Sequence, residues 1–199
     1  TALVAKQAAT LDLLCGGRLR LGVGIGWNEV EYQALNENFH NRGKRIEEQV
    51  AVLRALWTQE LVSYEGKWHQ IQDAGLNPLP RQRPIPIWMG GQAEVVLQRA
   101  ARLADGRVPN ARTLESAQPY LDKLFAELER AGRNAQDFGI EARIPYSMGS
   151  SHERMAAVEG WRKAATHLSL NTMGCGFERI EQHLQALAGF AAEMGLTKA

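Results

Sequence analysis

The sequence predicts an α/β fold in which parallel strands alternate with helices, and three observations carry that expectation. Five strand-helix units, beginning at Leu19, Ile85, Arg107, Ile140 and His167, follow one another along the chain, the first two marked by short apolar strands. Their helical segments have the length of crossover connections, which bring successive strands side by side in parallel with right-handed turns. Glycines gather where the first two strands end, at Gly22, Gly24 and Gly26 and at Gly90 and Gly91. An open doubly wound sheet and a (β/α)8 barrel both satisfy this pattern. Both place ligands at strand carboxyl ends, here Gly24, Gly26, Asn28, Gly90, Gly91 and Asn171.

The elements follow in order. Residues 2–15 carry Leu3, Val4, Ala8, Leu11 and Leu14 near helical spacing, and Gly16-Gly17 is a helix stop. The run from Leu19 to Glu29 reads as a short buried strand entering a glycine-rich turn. Residues 29–41 are polar and mixed, with no regular element assigned. Ile46, Val50, Leu53, Leu56 and Trp57 mark an amphipathic helix from about Arg42 to Thr58. Residues 62–69 suggest a small hairpin, and the proline-rich stretch 78–84 an extended connector, so that 60–83 is an insertion over one end of the domain.

The pattern then repeats. A strand at 84–89 ends in Gly90-Gly91-Gln92 and leads into a helix over 93–104. A turn and short strand at 105–110 precede a helix over 114–131 with Leu121, Leu124, Phe125 and Leu128. A strand over 139–148 precedes a helix capped by Gly149-Ser150-Ser151 and running to about Ala165. A last strand, 167–172, precedes a helix over 177–194 with Ile180, Leu184, Leu187 and Phe190.

With 199 residues the chain suits one domain with a sizeable core. A formal net charge of +1 supplies no basic field for nucleic acid. No apolar run approaches a membrane span and no signal peptide is visible, so a cytoplasmic location is expected. Cys15 and Cys175, far apart and without metal-like spacing, read as free thiols of a reducing compartment. His69, His152 and His183 have no ligand spacing with carboxylates, and no metal is predicted.

The glycine turn is the centre of the functional reading. Glycine at alternate positions admits positive φ and close approach of a ligand to the backbone, and Asn28 adds an amide. A phosphorylated cofactor suits such a turn, although glycines that only relieve crowding at a strand end would look the same. The dinucleotide fingerprint Gly-x-Gly-x-x-Gly is absent, because the spacing is Gly22-x-Gly24-x-Gly26 and the acids about 20 residues on, Glu47 and Glu48, lie in a helical pattern. Trp27 either walls the pocket or packs, and Trp57, Trp68 and Trp161 read as core. Arg42, Arg45 and Glu48 read as an intrahelical ion-pair network. His167 reads as hydrogen-bonded structure, and His40 as a loop residue.

The ordered motifs Leu11-Asp12, Gly17-Arg18-Leu19, Gly22 through Asn28, Arg42, Arg45, Glu48, Leu56-Trp57, Pro84 through Gly91 and Ala104-Asp105-Gly106 span nearly the whole chain. Their succession resembles the bacterial luciferase-like monooxygenase family, and more narrowly its subgroup using the deazaflavin coenzyme F420. That resemblance implies a (β/α)8 TIM barrel longer than this chain, with Leu19 opening strand four and His167 strand eight. It implies that the five units are strands four through eight, the first three being absent, and Thr1 already lies within a helical pattern. A partial barrel would expose unpaired strand edges, so a truncated form is expected to be unstable, inactive or covered by a partner, with a homo-oligomer, a dimer, expected.

Chemically, the resemblance implies hydride or electron transfer between coenzyme F420, or alternatively FMN, and a small-molecule substrate at the barrel mouth. Gly24, Gly26, Trp27, Asn28, Gly90, Gly91 and Gln92 are the implied cofactor-binding residues. Catalytic residues stay unassigned, because the family's other ring-contacting groups lie on the first three strands. Ile25 stands where deazaflavin-dependent sugar-phosphate dehydrogenases carry a glutamate, which disfavours that substrate. The alternative is a non-catalytic relative serving as a partner-binding or structural chain.

Overall fold

The computed structural model describes residues 1–196, which fall into two compact units: Thr1–Gly90 with Arg99–Asp105, and Gly91–Gln98 with the residues from Gly106 onward. Helix α4 (Glu94–Leu103) contributes to both.

The first unit contains α1 (Ala2–Leu14), β1 (Leu21–Val23), α2 (Glu29–Ala34), α3 (Arg42–Thr58), the hairpin β2 (Val62–Glu65) and β3 (Gln70–Ala74), and β4 (Ile87–Met89). Helix α1 packs on α3, but not through the leucines that its pattern suggested. Its buried residues are Ala5, Ala8, Ala9 and Asp12, whereas Leu3, Leu11 and Leu14 are exposed. Small side chains let the helix approach closely enough for the buried Trp57 of α3 to donate from Nε1 to the Ala5 carbonyl at 3.0 Å, satisfying the indole. Gly16 and Gly17, at φ +68° and +80°, close the helix by donating to the Leu13 and Asp12 carbonyls.

Asp12 is 0% exposed and is the anchor of the proline-rich connector. It accepts from the Gln82 backbone N–H at 2.8 Å and from Gln82 Nε2 at 2.7 Å, and the same Nε2 donates to the Leu19 carbonyl just before β1. Burial acts to raise this carboxyl's pKa, but the hydrogen bonds from Gln82 outweigh it, and the net shift is downward.

Strands β1 and β4 pair in parallel, Leu21 opposite Ile87 and Val23 opposite Met89. All three residues of β4 are buried. Asp105 serves as a further partner to this strand: its backbone N–H donates to the Ile87 carbonyl, and its carboxylate accepts from the Ile87 N–H and from Arg54. The hairpin lies slightly later than predicted, with residues 66–69 as its turn and the second strand beyond them. Glu48 grips that turn, accepting from the backbone N–H groups of Lys67, Trp68 and His69 at 2.8–2.9 Å, and its Oε1 lies 2.8 Å from His69 Nδ1.

The second unit contains β5 (Gly106–Arg107), α5 (Leu114–Arg130), β6 (Gly139–Pro145), α6 (Ser151–Trp161), β7 (His167–Asn171) and α7 (Ile180–Glu193). Strand β6 pairs in parallel with both β5 and β7. Period-two burial places Ile140, Ala142 and Ile144 of β6 in the core and turns Glu141, Arg143 and Pro145 to the opposite face. Helix α5 buries Ala117, Leu121, Leu124 and Leu128, one stripe at helical spacing. Thr113 and Ser150 cap α5 and α6 through reciprocal hydrogen bonds with Ser116 and Glu153.

All five predicted strands form, and within each unit their pairing is parallel. The predicted strand over 139–148 ends at Pro145, because Tyr146–Met148 turn into a short 3-10 helix. Helix α6 stops at Trp161 rather than Ala165, and α7 exposes Ile180, Leu184 and Leu187 while burying Ala186 and Phe190. Cys15 and Cys175 are free thiols. Among the described residues no helix is long and apolar enough to cross a membrane.

Candidate functional site

The turn after β1 opens onto a cavity of about 360 Å3 within the first unit. Gly24, Ile25 and Gly26 form one side, with Tyr32 and Glu37 from the following segment and Arg42, Arg45 and Gln49 from α3 also lining it. A Cβ built on Gly24 meets nothing within 4 Å, so the backbone there faces open space that any larger residue would fill. Gly26 holds φ +70°, a left-handed conformation that glycine takes without penalty.

The wall opposite the glycines is built by residues 29–41, for which the sequence suggested no regular element. Asn28 caps α2 by accepting from the Val30 N–H, and its amide donates to Glu31. Helix α2 thereby presents Tyr32, whose hydroxyl donates to the Ile25 carbonyl and ties down the glycine turn. Asn38 caps the 3-10 turn Phe39–Asn41 in the same way. Phe39 packs edge-on against Tyr32 at 5.3 Å between ring centroids, and the Arg42 guanidinium lies 3.5 Å from the Phe39 centroid. Two asparagine caps and two rings therefore position Arg42 beside the turn. Asn-x-x-Glu at 28–31 and Asn-x-His at 38–40 are the sequence signals that mark these caps.

The expected ion-pair network along α3 does not form. Arg45 is taken by Glu37, outside the helix, through a bidentate pair. Glu48 is taken by the hairpin turn, and Arg42 donates to the Phe39 carbonyl. Tertiary partners with rigid geometry displace exposed helix pairs worth only about 0.3–0.5 kcal/mol. Among the described residues no carboxylate pairs with Arg42, and its Nε is buried without a hydrogen-bond partner. The cavity is thus lined by a guanidinium without a carboxylate partner together with a glycine backbone, a donor set that fits an oxyanion such as a phosphate.

The other predicted positions are distributed as follows. Gly90 succeeds Met89 as Gly24 succeeds Val23, and the Gly90 N–H donates to the Val23 carbonyl at 3.4 Å, so these two glycines begin neighbouring turns. The backbone at Gly90 also faces open space. Trp27 is 86% exposed and packs against nothing in its own unit that buries it. In the second unit, Gly91, at φ +111°, accepts through its carbonyl from Arg107, and Gln92 donates from Nε2 to the Asn110 carbonyl at 3.2 Å. Arg107 is buried, and that burial pushes its guanidinium pKa down. Its Nη1 has no hydrogen-bond partner. Among the described residues no group of three or more His, Cys, Asp or Glu side chains gathers as a metal site would.

Comparison with known proteins identifies the family. The sequence is 34% identical over 145 residues to the FMNH2-dependent dimethylsulfone monooxygenase of Pseudomonas putida, covering 71% of this chain and 40% of that protein. It is 30% identical over 166 residues to the F420-dependent glucose-6-phosphate dehydrogenase of Amycolatopsis mediterranei, covering 77% of this chain and 47% of that one. The chain therefore spans less than half the length of these curated relatives. The coenzyme F420 dependent tetrahydromethanopterin reductase of Methanopyrus kandleri shares the fold, with a TM-score of 0.62 at 20% identity over 99% of this chain and 63% of that one. A family model described as luciferase-like monooxygenase matches residues 1–196. With that match, and a glycine turn and parallel strand pairs where the resemblance expects them, the chain belongs to the luciferase-like monooxygenase family.

Proposed function

We propose that the chain acts in an oxidoreductase that takes coenzyme F420, with FMN as the alternative, and transfers reducing equivalents to or from a small organic substrate. The cavity at the glycine turn carries this reading: the main chain at Gly24 and Gly26 and the side chain of Arg42, with which no carboxylate among the described residues pairs, line the same space of about 360 Å3. In this proposal Arg42 holds the cofactor's phosphate, and the open backbone of Gly24 and Gly90 admits the ribityl chain without steric conflict. The bound ring supplies the redox chemistry; the protein supplies orientation and charge. Tyr32, Phe39 and the Arg45–Glu37 pair keep Arg42 and the turn in place rather than touching the cofactor.

The names of the relatives support both cofactors, and Ile25 weighs against a sugar phosphate as substrate, because the neutral side chain offers no acid there. Those named relatives are enzymes, which weighs against a solely structural role. Fluorescence titration of the full chain with F420 and with FMN tests the proposal. Saturable binding of at least one is expected, and absence of binding by both overturns it.

A further inference from the structure

The second unit carries a separate cavity, of about 330 Å3, lined among others by Asn110, Arg112, Arg143, Pro145 and Asn171. These residues come from the loop after β5 and from the carboxyl-terminal halves of β6 and β7. Arg143 stands on the face of β6 opposite the buried Ala142 and Ile144, and parallel register sets Arg143 beside Ser169 and Pro145 beside Asn171. Asn171 Oδ1 accepts from the Met173 N–H at 3.0 Å, which leaves its NH2 group to donate. Arg112 immediately precedes Thr113, the N-cap of the 17-residue helix α5, whose positive end adds to the same potential.

The charges are what set this cavity apart. Elsewhere in the unit Arg130, Arg154 and Arg162 each hold a carboxylate. Among the described residues none pairs with Arg112 or Arg143, although both line one cavity, where their like charges raise each other's energy. Ser169, beside Arg143 in register, has a buried hydroxyl oxygen with no hydrogen-bond partner. Two cations and an amide donor lining one cavity make an incomplete set, and an oxyanion completes it.

We propose that this cavity of the second unit binds a small organic molecule through its oxyanion, a carboxylate, sulfonate or phosphate held by Arg112 and Arg143. The proposal concerns the second unit by itself and goes beyond the oxidoreductase reading by naming a ligand class, small organic anions. The cavity has room for the anionic group and a few attached carbons. A neutral ligand would leave both guanidinium groups without a counter-charge and be discriminated against.

The test is calorimetric titration of the full chain at low ionic strength with inorganic phosphate, methanesulfonate and acetate as separate probes. Wild type is compared with Arg112→Gln, Arg143→Gln, Arg42→Gln and, as a control, Arg162→Gln. Saturable binding of at least one probe is expected, weakened about tenfold or more in the first two variants, as loss of a charge-assisted hydrogen bond implies, and unchanged in Arg162→Gln. Whichever probe binds most tightly identifies the oxyanion. No binding by wild type overturns the proposal, as does binding that only Arg42→Gln weakens, since the anion would then sit in the other cavity. Because both arginines are exposed, the variants are expected to fold, and protection of Arg112 and Arg143 from phenylglyoxal by the bound probe is a second measurement on unmodified sequence. Titration of the same proteins with F420 and FMN separates the two readings: absence of cofactor binding by wild type refutes the oxidoreductase, whereas anion binding that Arg112→Gln and Arg143→Gln leave unchanged refutes this site alone.

Discussion

Single residues carry the sharpest consequences. Gly24 faces open space, so Gly24→Leu fits the fold yet occupies the cavity. Its thermal midpoint is expected to stay within a few degrees of wild type, while cofactor affinity falls by tenfold or more in the fluorescence titration. Gly26 differs, because its φ of +70° penalises any Cβ. Gly26→Ala is expected to lose about 1–2 kcal/mol of stability in urea denaturation. Arg42 shows where reading from sequence fails. Its spacing with Arg45 and Glu48 suggests helix pairing, yet each of the three finds a partner outside α3 or remains uncommitted. Spacing along one helix reports which side chains are neighbours, not which distant groups compete for them.

Among the elements, α1 and its clamp depend on pH. Asp12 titrates below the ordinary carboxylate value near 3.9 when folded, so its stabilisation is complete above that unfolded value and is lost as pH falls through the lower folded one. Wild type is therefore expected to lose more stability between pH 5 and pH 2 than Asp12→Asn, measured as urea midpoints; equal losses would mean the clamp contributes nothing. Helix α5 depends on apolar burial instead. Leu124→Ala, at a fully buried position, is expected to cost about 2–5 kcal/mol. The periodicity of α5 was legible because its apolar stripe is its buried stripe. The pattern of α1 misled because its leucines face outward and its alanines face α3. Helix α2 left no apolar pattern at all, since it is started by the Asn28 cap and fixed by Tyr32, features of local hydrogen bonding.

At the scale of the whole molecule, the strands were readable from short β-like runs between helical segments, most plainly at Ile87–Met89, a continuous apolar run buried on both faces. The glycine turn was readable for a similar reason: a backbone that must stay bare shows itself as glycine. The cavity's far wall was not, because it is assembled from a segment whose residues look like surface. Helices α1 and α7 expose Leu3, Leu11, Leu14, Ile180, Leu184 and Leu187. The dimer expected from the sequence predicts a concentration-dependent sedimentation coefficient, which a strictly monomeric profile would refute.

The central claim is that Arg42 and the glycine turn recognise a phosphate. Its most direct test is the affinity difference between FMN and riboflavin, which share a ring and differ in that group. FMN is expected to bind at least tenfold more tightly to wild type, with the difference abolished in Arg42→Gln. Equal affinity for the two in wild type, or a difference that survives the substitution, would contradict it.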